Sequence, residues 1–161
     1  MKKILIPASL ILAAVFLFAT EEQSQTSTSE HRFVSPSDMQ WSDAPPGLPA
    51  GAQMAVLDGD PGKPGSFTVR LKTSDGYKIM PHTHPTAERV TVISGTIFLG
   101  MGDKFQEAGT HEMGAGSFAV MPKNMSHYVW KTTDAVVQIH SEGPFKINYV
   151  NPADDPRNAK K

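Results

Sequence analysis

Residues 76–95 read GYKIMPHTHPTAERVTVISG, and both the fold and the chemistry of the chain turn on this stretch. His82 and His84 are separated by Thr83 and bracketed by Pro81 and Pro85. Side chains alternate along an extended strand, so the two imidazoles share a face and Thr83 points away. Proline cannot donate a ladder hydrogen bond, so Pro85 is expected to end the strand in a tight turn. Glu88 then opens the next strand. With residues 89–94 running back antiparallel, its carboxylate is expected to lie beside the histidine pair. A third imidazole, His127, follows the turn residues Pro122, Lys123 and Asn124 and arrives from a strand far away in sequence. Three imidazoles and a carboxylate, in a chain with no cysteine, point to a site for a first-row transition metal.

Outward from this stretch the pattern is that of a β protein. Short apolar or alternating runs at 67–72, 89–94, 96–100, 117–121, 126–131, 136–140 and 145–150 are separated by turn residues, and no segment after residue 20 sustains a helical period. The proline-rich stretch 42–50 and the Gly, Pro and Asp-rich stretch 58–65 read as loops. Many short strands of this kind build a sandwich or a barrel, and closure would remove exposed sheet edges.

The spacing of the site residues resembles two motifs of the cupin superfamily. Gly76, five residues, His82, one residue, His84, three residues, Glu88, six residues and Gly95 is similar to its first motif. Gly116, five residues, Pro122, Lys123, Asn124, two residues and His127 resembles the second. Asn124 stands where that motif usually has glycine; asparagine is next best at adopting the left-handed conformation such a turn requires. Lys131 stands where the motif often ends in asparagine. The resemblance implies an all-β fold, a single jelly-roll-like antiparallel β-barrel with an N-terminal strand extension. It also implies one divalent transition metal (Fe, Zn, Cu, Mn or Ni) held by His82, His84, Glu88 and His127 near the wide mouth, with positions left open.

Composition bounds the rest. The 15 Lys and Arg residues against 16 Asp and Glu give no basic field for nucleic acid. Lys2 and Lys3, an apolar run from Ile4 to Phe18 and then Ala19 form the layout of a secretory signal, too short in its apolar part for a spanning helix. The expected organisation is a signal peptide over 1–19, a polar tether over 20–32 and one domain over 33–161, in a periplasmic or secreted protein with no membrane segment after cleavage. An ion acquired outside the cytoplasm meets an affinity order that favours copper and zinc over manganese and iron.

Other residues are candidates for a pocket. Gln138 and His140 share one face of their run, opposite Val137 and Ile139; they line a cavity if that apolar face packs outward, and the alternative, slightly favoured, is that their face meets solvent. Arg70, between Val69 and Leu71, reaches an anionic substrate if it faces the cavity, although an isolated strand arginine is more often a surface residue, and Tyr77 is either a pocket wall or ordinary packing. His111 falls in an expected loop. The methionines fit gap-filling better than copper binding, because they form no spaced motif. The leading expectation is a metal-dependent enzyme on a small organic molecule, an oxygenase (dioxygenase) ahead of an isomerase, lyase or hydrolase. No general base can be named outside the ligand set, so a non-catalytic metal-binding or sensor protein stands as the alternative, and a homodimer stays open. Ionisable groups such as Arg70 or His140 aimed at the centre would favour the enzyme.

Overall fold

The computed structural model describes residues 31–131 and 133–159. The expected signal and most of the tether therefore lie outside the described residues. The unit that starts at Phe33 contains, among its described residues, eleven strands and three short 3-10 turns. Among the described residues there is no α-helix, and no helix long and apolar enough to cross a membrane.

The strands are β1 (Ser42–Asp43), β2 (Ala52–Asp58), β3 (Gly65–Thr73), β4 (Lys78–Thr83), β5 (Glu88–Ser94), β6 (Ile97–Met101), β7 (His111–Met113), β8 (Phe118–Met121), β9 (His127–Lys131), β10 (Ala135–Gly143) and β11 (Asn148–Tyr149). They form two antiparallel sheets in the orders β1-β2-β3-β10-β5-β8 and β11-β4-β9-β6-β7. Two such sheets make a jelly-roll-like fold, as expected, although they are not hydrogen-bonded into one closed barrel. Strands β1 and β2 are the N-terminal extension.

Alternation decides which faces meet. Phe67, Val69 and Leu71 of β3, Val90 and Val92 of β5, and Ile139 of β10 are buried from one sheet; Ile97 and Leu99 of β6 and Met113 of β7 are buried with them from the other. Each such side chain contributes about 1.5–3 kcal/mol when removed from water. Gly95, at the turn between β5 and β6, has φ 76°, and a Cβ there would run into the Asp134 carbonyl. The glycine closing the first motif is thus required by both conformation and space.

Four expectations are corrected. Strands β4 and β5 do not pair; they lie in opposite sheets. The link 84–87 is tied to the end of β10, with Thr86 Oγ1 donating to Glu142 O at 2.9 Å and Ser141 Oγ to Ala87 O at 2.8 Å. These bonds carry the chain from one sheet to the other. His111 opens strand β7 rather than sitting in a loop. The run 145–150 shortens to the two residues of β11, and the loop at 42–50 contains the short strand β1.

Candidate metal centre

The sequence builds the centre through its prolines. Strand β4 pairs with β9, and the register slips between Ile79 and His82. The slip falls at Met80 and Pro81, where proline has no N–H to give to β9. After it, His82 and His127 stand directly opposite each other. Strand β4 ends at Thr83, and His84 follows just before Pro85. Asn124 adopts φ 61°, the left-handed conformation expected of it, and its N–H donates to His84 O at 2.9 Å. The turn ahead of His127 is in this way fastened to the first motif.

The ligand atoms of His82, His84 and His127 lie within 4.8 Å of one another, and all three rings are buried. Each Nδ1 faces a backbone carbonyl: Met80 O for His82 at 2.7 Å, Lys146 O for His84 at 2.7 Å, and Met125 O for His127 at 3.0 Å. A carbonyl only accepts, so Nδ1 carries the proton in each case and Nε2 keeps its lone pair. This is the tautomer a metal-binding imidazole needs, with the ring oriented by its second nitrogen. The Nε2 atoms of His84 and His127 are buried with no hydrogen-bond partner. Such orphaned acceptors are rare in a folded interior, and a cation held between the rings would satisfy them.

Glu88 comes from the facing sheet, only 6% exposed, with Oε2 3.5 Å from Nε2 of His84 and 3.2 Å from Nε2 of His127. Burial drives the His82 pKa down to about 3, helped by the neighbouring His127 and His84, and burial also lowers that of His84. Both rings are therefore neutral near pH 7. Burial pushes the Glu88 carboxyl up, but His127 and His84 beside it outweigh this and hold it below its usual range. Neutral imidazoles and an ionised carboxylate are the protonation states that bind a divalent ion.

The centre opens on a cavity of about 410 Å³ between the sheets. The family model of the cupin domain matches residues 69–141, which contain all four of these residues. The chain carries a cupin domain. No curated protein matches it in sequence. Among solved structures, the polyketide cyclase RemF from Streptomyces resistomycificus superposes with a TM-score of 0.65 at 18% identity, over 79% of this chain and 90% of RemF. A candidate acetylacetone dioxygenase from Methylibium petroleiphilum PM1 gives 0.61 at 18% identity, over 81% of this chain and 88% of that one. An RmlC-like cupin from Shewanella frigidimarina gives 0.55 at 14% identity, over 70% and 91%. At these identities the likeness is one of fold.

Of the expected pocket residues, the cupin places only Tyr77 on the cavity wall. Its hydroxyl donates to Pro49 O at 2.7 Å, and burial raises its pKa. Arg70, Gln138 and His140 are corrected to the outer face of the six-stranded sheet. There Arg70 Nε donates to Gln138 Oε1 at 3.2 Å, and His140 Nδ1 lies 3.1 Å from Thr68 Oγ1. The cause is hydrophobic: burying Val69, Leu71, Val137 and Ile139 toward the opposite sheet turns their alternate neighbours outward.

Sequence reasoning missed the segment that holds His84. Phe145 stacks on the His84 ring, with centroids 4.2 Å apart and planes 15° from parallel, and the next carbonyl, Lys146 O, takes its Nδ1 proton. Tyr149 stands opposite His82 in the β11–β4 register, and its hydroxyl donates to Gly47 O at 2.9 Å. Burial raises the Tyr149 pKa to about 12. The one signal available was the aromatic, strand-like run 145–150, which names no partner.

Proposed function

We propose that this cupin is a metal-dependent enzyme acting on a small organic molecule, with oxygenase chemistry favoured over isomerisation, lysis or hydrolysis. The observation that carries the reading is the set of three buried imidazoles with Nδ1 locked by carbonyls and Nε2 turned to a common point. His82, His84 and His127 would hold a divalent ion, and Glu88 supplies the fourth, anionic donor. When bound, such an ion supplies open coordination positions for dioxygen and substrate, or Lewis acidity toward a carbonyl.

The chain's own residues do the positioning. The carbonyls of Met80, Met125 and Lys146 fix the three rings, and the apolar walls keep water from the substrate side. Among the described residues, no histidine or carboxylate lines the cavity apart from those four. A reaction that needs a separate general base has little to draw on, and this favours chemistry centred on the ion. Solved structures of similar fold, one named as a polyketide cyclase and one as a candidate acetylacetone dioxygenase, support an enzymatic reading by analogy of fold. The proposal includes export on the leader 1–19, where copper and zinc compete best for the site.

A second reading, a non-catalytic metal or ligand sensor, draws support from the outward placement of Arg70, Gln138 and His140. Oxygen uptake separates the two. Protein loaded in turn with iron(II), manganese(II), cobalt(II), copper(II) or zinc(II) is incubated with small carbonyl and enol compounds. Consumption above a metal-only control, abolished in His127→Ala, supports the oxygenase. Ligand binding without uptake or product formation for any ion supports the sensor.

A further inference from the structure

We infer that the molecule taken by this centre is uncharged and largely apolar, with its polar atoms confined to the end that faces the histidines. The inference rests on the metal-centre reading for that polar end and on the cavity walls for the rest.

Away from the four ligand-type residues, the walls are the inward side chains of both sheets, among them Val69, Leu71, Leu99, Val129, Val137 and Ile139. The polar residues that also touch the cavity are Thr73, Tyr77, Lys146 and Arg157. None offers an anionic group a buried counter-charge. Lys146 is exposed, and Arg157 is committed to Asp155 through Nε at 2.8 Å and Nη2 at 2.7 Å, with Nη2 also donating to Ile147 O at 3.0 Å. The Tyr77 hydroxyl proton is spent on Pro49 O. Thr73 lies at the far end of β3 from Phe67. Its register partners are Ala52 and Ala135, whereas Phe67 pairs with Ser141, the residue that bonds the carbonyl just before Glu88.

A buried carboxylate, phosphate or sugar hydroxyl needs partners, and this chamber leaves them unmet except at the histidines. An apolar body meets dispersion contacts on every side instead. A volume of about 410 Å³ at interior packing holds roughly a dozen to twenty non-hydrogen atoms. The inward placement of Val137 and Ile139 thus does two things at once. It removes His140, Gln138 and Arg70 from the site, and it makes the chamber selective for uncharged molecules.

Two arms test this. In the first, cobalt(II)-loaded protein is titrated calorimetrically with 1-phenylbutane-1,3-dione and with its para-carboxyphenyl analogue, which share one chelating head. The neutral probe is expected to bind at least tenfold more tightly, and Leu99→Phe is expected to weaken it at least tenfold with cobalt content unchanged. Val137→Phe, from the opposite sheet, replaces that variant where its folding suffers. Equal or tighter binding of the carboxylated probe overturns the inference. In the second arm, metal-free protein is examined with naphthalene by saturation-transfer NMR: binding that Leu99→Phe reduces supports an apolar chamber, and no binding overturns it. Failure of cobalt to load removes the metal-centre reading alone, because the second arm still decides the class of occupant.

Discussion

Replacing Phe145 by alanine separates the ligand histidines from the segment that holds one of them. Phe145 lies flat against His84 at 4.2 Å and meets Phe67 edge-on at 5.2 Å, so it joins the centre to the core. The side chain is half-buried, and its loss is expected to cost the metal-free fold about 2 kcal/mol, below the 3–5 kcal/mol of a fully buried phenylalanine. The larger effect is on metal binding. Without the stacked ring, the His84 Nδ1 proton still meets the Lys146 carbonyl, but that carbonyl sits on a segment that has lost its anchor. Groups that orient a ligand in this way are worth roughly tenfold to a hundredfold in affinity. The assay is competition for cobalt(II) or zinc(II) against a chromophoric chelator, with circular dichroism to confirm the fold. Phe145→Leu, which keeps apolar bulk but no flat ring, is expected to fall between. Unchanged affinity in a folded Phe145→Ala protein would refute the claim that this segment positions His84.

Two further predictions follow from the same geometry. His82, held down to about 3, and His84, also lowered, bind protons in the unfolded chain before they do in the native one. Their contribution to metal-free stability is therefore present above pH 6.5 and lost as pH falls below it, at about 1.4 kcal/mol per pH unit from His82, with His84 adding in the same direction. Glu88, held below its usual range, adds to the loss below about pH 4.5. Urea unfolding at pH 7.5 and 5.5 checks this, and equal midpoints would contradict it. Asn124→Gly is expected to be nearly neutral and Asn124→Ala to cost about 1 kcal/mol, because φ 61° is open to glycine and strained for alanine; thermal unfolding of the two variants decides.

Much of the site was legible because it is written in spacings. The one-residue gap between His82 and His84, the flanking prolines and the left-handed demand at Asn124 each translate directly into backbone geometry, and the structure bears out all three. What spacing does not contain is the identity of the neighbouring strand. Glu88 was expected beside β4 in one ladder, whereas it reaches the histidines across the sandwich. The Thr86, Ser141 and Glu142 bonds that route the chain between sheets involve residues more than fifty positions apart. The side of β10 facing the core could not be read from its alternation, because Val136 on the polar side blurs the contrast with Val137 and Ile139. Only the burial of the whole sheet fixes that choice. The role of Phe145 and Lys146 was hidden for a simpler reason: one acts through a ring face and the other through a backbone carbonyl, and neither leaves a motif.

The convergence of His82, His84 and His127 with Glu88 beside them is that of a site for a single ion. Its most direct test is the ion stoichiometry of metal-free protein dialysed against excess cobalt(II) and then against buffer, measured by elemental analysis alongside His82→Ala and His127→Ala. Close to one ion per chain is expected in the parent protein and almost none in either variant, with circular dichroism unchanged in all three. A folded parent protein that retains no ion, or a His82→Ala variant that retains a full one, would contradict it.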